Sequence, residues 1–254
     1  MIEKIAGLSV RYRLSGQGRP QVLLLHGWGV DSDTLEDLRL HLAESCTVCS
    51  LDFPGFGQSQ EPPEVWGVNE YAAFVKAFID HLGWQQPVVF GHSFGGRVTI
   101  VLAAAGHCQK IVLCDSAGIK PRRGLSYYAR VYSYKAAKAI CRLPGIRRYR
   151  QRLLSLWLNA NPSSDYRAAQ GVMRQIFVKV VNQDLRPCLK QIAVPALLLW
   201  GALDTATPLS DAKIMEAEIA DAGLVVFEQA GHYPFLNEPQ RFYRIIDYFL
   251  THQD

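Results

Sequence analysis

The sequence predicts an α/β protein: a doubly wound, mainly parallel sheet interrupted by one helical insertion. Short continuous apolar runs, among them Val22-Leu23-Leu24-Leu25, Ile111-Val112-Leu113-Cys114 and Ala196-Leu197-Leu198-Leu199, have the pattern of strands buried on both faces. Segments with apolar residues at helical spacing lie between them, so strand and helix alternate. Each run ends in a turn that carries polar or glycine residues, and in doubly wound sheets ligands bind at those carboxyl ends.

In order, residues 8–14 alternate apolar and polar, as an edge strand with one wet face would. The strand 22–25 ends in His26-Gly27-Trp28-Gly29. A helix follows, with Asp31, Ser32 or Asp33 as N-cap and Leu35, Leu38 and Leu42 inward. The strand 47–51 ends in Asp52-Phe53-Pro54-Gly55-Phe56-Gly57-Gln58-Ser59, whose turn-formers make it a loop. Residues 69–82 read as a helix closed by Gly83. Val88-Val89-Phe90 then breaks at Gly91-His92-Ser93-Phe94-Gly95, a helix runs to about residue 105, and the strand 111–114 ends at Asp115.

Over 118–189 the rhythm fails. Tyr128, Val131 and Tyr132, then Ile146, Tyr149, Leu153 and Trp157, then Val172, Ile176, Phe177 and Val180 recur at helical spacing. One core made of 1–117 and 190–254, with a helical lid over 118–189, is the expected organisation. The rhythm resumes with a strand that delivers Asp204, a helix over 209–219, a strand over 224–227, the loop Gly231-His232-Tyr233-Pro234 and an amphipathic helix over 240–250.

The 254 residues are 49% hydrophobic and 20% charged, enough for one domain with a large core and an insertion. Residues 1–7 lack a basic stretch followed by an apolar one, and no apolar run approaches a membrane span, so a soluble, non-exported protein is expected. Six scattered cysteines in apolar surroundings suit reduced buried thiols, and with them the cytoplasm. Cys46 and Cys49 lie three apart in a strand, on opposite faces, which argues against a joint metal or redox role. No histidine cluster has ligand spacing, so no metal site is expected. The net charge of +4 is unevenly spread: residues 118–170 hold twelve basic residues and Asp165, a sum of +11, which leaves −7 for the rest. That asymmetry fits a solvated face, an anionic substrate or acidic carrier protein, or an anionic membrane surface; no nucleic-acid motif accompanies it.

A serine hydroxyl becomes a nucleophile when a base takes its proton and a third group orients the base. Ser93, His232 and Asp204 supply those three roles at strand ends, with Asp115 a rival for the acid. Glycines two before and two after Ser93 fit a strained strand-turn-helix elbow. The main-chain N–H groups of Phe94 and Trp28 are the candidate donors to an oxyanion. Trp28, Phe53, Phe56, Phe94, Tyr233 and Phe235 are candidates to line an acyl pocket, Trp28, Phe94, Tyr233 and Phe235 foremost. His26 and His92 are expected to bond loop backbone.

These motifs, from His26-Gly27-Trp28-Gly29 through Gly201-Ala202-Leu203-Asp204 to Gly231-His232, resemble the α/β-hydrolase superfamily in order and spacing. The resemblance spans the chain except the insertion, which sits where that family places its lid. It implies a cofactor-free serine hydrolase of the lidded carboxylesterase or C–C bond hydrolase type. Serine at position 93 differs from the aspartate of the family's dehalogenases and epoxide hydrolases, and the HGWG loop disfavours bulky tertiary-alcohol esters. The expectation is a cytoplasmic carboxylic-ester hydrolase acting on a small ester, anionic or carrier-bound. The alternatives are a C–C bond hydrolase of a diketone-like substrate with the same triad, and a non-catalytic binding or scaffolding protein of the same fold.

Overall fold

The computed structural model describes residues 1–120 and 167–252. The chain divides into a unit of Met1–Lys120 with Gly171–Asp254 and a unit of Pro121–Gln170. The helices expected around Tyr128 and over 146–158 lie outside the described residues.

Eight strands form one sheet: β1 (Ile2–Ile5), β2 (Leu8–Ser15), β3 (Gln21–Leu25), β4 (Thr47–Leu51), β5 (Val88–His92), β6 (Lys110–Cys114), β7 (Ala196–Gly201) and β8 (Ala222–Phe227). Their order is β1-β2-β4-β3-β5-β6-β7-β8. The β1–β2 and β2–β4 pairs are antiparallel and the remaining pairs parallel. One expectation is corrected: β2 is an inner strand and not an edge, because β1, which the sequence reading did not identify, covers it through a tight turn at Ala6 and Gly7, both at positive φ (48° and 88°).

The described helices are α1 (Glu36–Leu42), α2 (Val68–His81), α3 (Phe94–Ala104), α4 (Gly171–Asn182), α5 (Arg186–Leu189), α6 (Leu209–Glu218), α7 (Pro234–Asn237) and α8 (Pro239–Thr251). A 3-10 turn, Ser32–Leu35, leads into α1, and Asp31 caps it by accepting from Asp33 N at 3.0 Å.

In β3 to β7 alternate residues serve alternate cores, as the two-residue period of a strand requires. Leu23, Leu25, Val89, Ile111, Leu113, Leu198 and Trp200 meet α2 to α6 on one face. Val22, Leu24, Phe90, Val112, Leu197 and Leu199 meet α1, α7 and α8 on the other. Cys49 belongs to the first core and Cys46 to the second, so the sheet separates the two thiols. All five cysteines among the described residues are free. From α4, Met173, Ile176 and Val180 are buried in the first core. Burial of long apolar faces on both sides, at about 25 cal/mol per Å2, is the main term holding such a sheet together.

The parallel register aligns the carboxyl ends. Leu25 pairs with Leu51 and Gly91, His92 with Cys114, Cys114 with Leu199, and Gly201 with Phe227. The residues that follow, from His26 to His232, therefore issue from one edge of the sheet.

Candidate active site

Ser93 stands between β5 and α3 at φ 51° and ψ −107°. A positive φ on a residue with a side chain is strained, and it persists only where surroundings enforce it. Here Ser93 N donates to Cys114 O at 3.1 Å, and Ser93 O accepts from Gly96 N at 3.1 Å and Ala117 N at 3.0 Å. The flanking glycines permit the turn. A Cβ at Gly91 would meet Thr99 Oγ1 at 2.3 Å, and one at Gly95 would meet Leu25 O at 2.2 Å.

The loop after β3 lies against the serine: a Cβ on Gly27 would come within 3.4 Å of Ser93 Cβ. His26 fixes this loop. Its Nε2 accepts from Phe53 N at 3.0 Å, so its Nδ1–H donates to Gly27 O at 2.7 Å, and burial keeps its pKa below the usual imidazole range. Among the described residues, neither Trp28 N nor Phe94 N donates to another group. The loop after β4 is clamped by buried Asp52, which accepts from Ser32 N (3.0 Å), Ser32 Oγ (2.5 Å) and Gln58 N (2.9 Å).

Asp204, three residues beyond β7, is 6% exposed, while His232, five beyond β8, is half-buried. His232 Nδ1 donates to Asp204 Oδ2 at 2.7 Å. Asp204 also accepts from Ala206 N (2.7 Å), Thr207 N (3.2 Å) and Thr207 Oγ1 (2.5 Å). Burial alone would raise its pKa; the bonds from His232 and Thr207 outweigh that and hold it at about 2. With Nδ1–H committed to a carboxylate, the neutral ring presents a lone pair at Nε2, the form a general base requires.

His92 does bond loop backbone, and its partner is informative: Nε2–H donates to the main-chain carbonyl of His232 at 2.8 Å. Burial pushes its pKa down to about 3, so it stays neutral, and its Nδ1 has no partner among the described residues. Thr207 was not foreseen. Its signal is a hydroxyl three residues after a strand-end aspartate, where it can cap that loop. Asp115, the rival acid, is fully buried beside Asp204, with no direct bond to His232 among the described residues.

Atoms of Asp115, Asp204 and His232 lie within 4.8 Å of one another, close enough to hold a cation. The hydrogen-bond directions oppose that use. Both Asp204 oxygens already receive N–H or O–H donors, Asp115 Oδ1 receives Gly201 N at 3.0 Å, and His232 Nδ1 carries the proton shared with Asp204.

The half-buried Trp28 ring lies 4.8 Å from Phe56, 5.4 Å from Phe94 and 5.1 Å from Phe177 between ring centroids. Tyr233 is half-buried against His92 and His232. Phe235 packs into the second core at 2% exposure, on Phe90 and Phe242. A separate cleft of about 880 Å3, lined by Arg19, Gln86, Lys110 and Asp247, lies at the opposite, amino end of the strands. Its Lys110 ammonium is held by Phe249 O and His252 O, and none of the residues above lines it.

An eight-stranded, mostly parallel sheet whose carboxyl edge carries a serine elbow and an Asp–His pair defines a hydrolase scaffold. The chain belongs to the alpha/beta hydrolase fold family, whose profile matches residues 20–239. It is similar to the pimeloyl-[acyl-carrier protein] methyl ester esterase of Aeromonas hydrophila, 28% identical over 96% of this chain and all of the relative. Among solved structures it is similar to an esterase from Exiguobacterium antarcticum (TM-score 0.76, 22% identity, 99% of both chains). It is equally similar to an enol-lactonase from Burkholderia xenovorans LB400 (TM-score 0.76, 21% identity, 99% of this chain and 100% of that one). At these identities the structural likeness is one of fold.

Proposed function

We propose that the protein is a serine hydrolase that cleaves carboxylic esters through an acyl-Ser93 intermediate. The 2.7 Å bond from His232 Nδ1 to Asp204, on the edge that carries the strained Ser93 elbow, is the observation that carries this reading. Ser93 Oγ attacks the ester carbonyl carbon as His232 Nε2 takes its proton. The same proton passes to the departing alkoxide, and water, deprotonated by His232, releases the acid and restores Ser93. Asp204 stabilises the imidazolium in both halves. The unspent N–H groups of Trp28 and Phe94 suit the oxyanion, a contribution typically worth a hundredfold or more. Trp28, Phe94, Phe56 and Phe177 form an apolar wall for the acyl chain, and Tyr233 borders it beside His232.

The substrate class within this reading is an ester borne on an acidic carrier. Two things favour it: the +11 charge over residues 118–170, and the likeness to an esterase named for an acyl-carrier-protein ester. We assign residues 118–189 as the lid that carries this selectivity, and the cytoplasm as the compartment. The test is hydrolysis of a short p-nitrophenyl ester and of a carrier-bound methyl ester. Steady turnover abolished in Ser93→Ala supports the enzyme; turnover persisting in that variant overturns it. A rate advantage for the carrier-bound ester that fades as the Debye length falls from about 10 Å at 0.1 M salt to about 3 Å at 1 M supports the carrier, and indifference to salt contradicts it.

A further inference from the structure

Asp115 is a buried acid that this mechanism does not use. It follows β6 directly, is fully buried, and sits at φ 40°, one of four non-glycine residues at positive φ among the described residues. Its contacts converge on the loop that carries Asp204. Oδ1 accepts from Gly201 N at 3.0 Å, at the end of β7, and its main-chain carbonyl lies 3.0 Å from Thr207 Oγ1. The one proton of that hydroxyl is directed to the nearer Asp204 Oδ2, with Asp115 O its second, longer contact. Asp115 thus grips the Asp204 loop before and after the acid.

Two carboxyl groups this close, out of water, do not both ionise. The titratable groups facing Asp115 are Cys114 from its own strand, Asp204 from the β7 loop and His232 from the β8 loop. Among the described residues no lysine or arginine pairs with either carboxyl group. Asp204 receives Ala206 N, Thr207 N, Thr207 Oγ1 and His232 Nδ1, whereas the Asp115 carboxyl receives Gly201 N and a 3.6 Å contact from Cys114 Sγ. The charge therefore belongs on Asp204 and the proton on Asp115.

We propose that Asp115 is a positioning residue for the triad: as a neutral carboxylic acid it holds the Asp204 loop in place and leaves Asp204 the one anion that meets His232. This rests on the serine-hydrolase reading for its consequence, though not for its geometry. Burial and the neighbouring Asp204 charge push the Asp115 carboxyl up to about 8, in agreement with the count of donors.

The test combines carboxyl titration by carbon NMR with kinetics. One aspartate carboxyl that titrates near pH 8 and disappears in Asp115→Asn is expected; every aspartate titrating below pH 6 overturns the proposal, whether or not the protein turns over esters. For turnover, Asp115→Ala lowers kcat by about tenfold to a hundredfold, the scale of a small misplacement of a reacting group, with KM little changed. Asp115→Asn, which tolerates the same positive φ and still accepts from Gly201 N, recovers most of that loss and removes the bend near pH 8 in the wild-type kcat/KM profile. Full activity in Asp115→Ala, or activity that survives Asp204→Asn and is lost in Asp115→Asn, overturns it. Failure of the hydrolase reading itself looks different: the wild type neither hydrolyses esters nor reacts with a fluorophosphonate.

Discussion

Asp204 is charged at any working pH, because four hydrogen-bond donors outweigh the cost of burying it and hold its pKa at about 2. Its contribution to stability is therefore present above the usual carboxylate range and is lost as pH falls through that range toward 2. In the proposed mechanism its contribution to rate lies in fixing the His232 tautomer. Asp204→Asn keeps the shape and turns a donor toward Nδ1, so kcat is expected to fall by about 10³- to 10⁴-fold, read against an unchanged fold by circular dichroism. A loss under tenfold would assign the acid elsewhere. At this scale the sequence was informative about residue types and blind to partners. Ser93 and Asp204 stand out because each follows a buried strand and His232 because it follows the glycine of a strand-end loop, but nothing in Gly91-His92-Ser93 says that His92 will hold the carbonyl of His232, 140 residues away. Thr207 and Asp115 likewise gain meaning only when β6 and β7 pair.

Among the elements, α4 is fastened to α2 and α3 by polar contacts. Gln183 Oε1, just past α4, accepts from Val68 N at the start of α2 at 2.7 Å, and Lys179 pairs with Glu70 at 3.0 Å. Buried Arg97 on α3 donates to Gln183 O at 2.9 Å, and Leu185 N donates to Gly118 O at 2.9 Å. The exposed Lys179–Glu70 pair is a surface bridge of small value, whereas Gln183 supplies an acceptor to a helix N-terminus that Gly67 cannot cap with a side chain. Gln183→Ala is expected to cost about 1 kcal/mol, as loss of an N-cap does, and to lower Tm by about 2–4 °C in a scanning calorimeter. No shift in Tm would mean that water replaces the acceptor at no cost. Element boundaries were legible wherever a strand is buried on both faces, since a continuous apolar run admits few other readings. β1 was missed for a physical reason: four residues, half of them charged, joined to β2 through Ala6-Gly7, a turn whose positive φ values the sequence does not advertise as Asn-Gly would.

For the whole molecule, the parallel register explains why residues scattered from His26 to His232 converge: each strand ends level with its neighbour, and each loop inherits the same edge. That convergence could be read from sequence order alone, because alternating strand and helix with right-handed crossovers leaves few arrangements. Two polar edges remain distinct in the result, the carboxyl edge with Ser93 and the amino edge with its 880 Å3 cleft, and the alternation of residues between the two cores separates chemistry from scaffold. The central claim is that Ser93 is the activated nucleophile of this edge. The most direct measurement is mass spectrometry of the protein after reaction with a fluorophosphonate. The account predicts one adduct, on the peptide carrying Ser93, formed in wild type and absent in Ser93→Ala. An unmodified protein, or an adduct on any other residue, would contradict it.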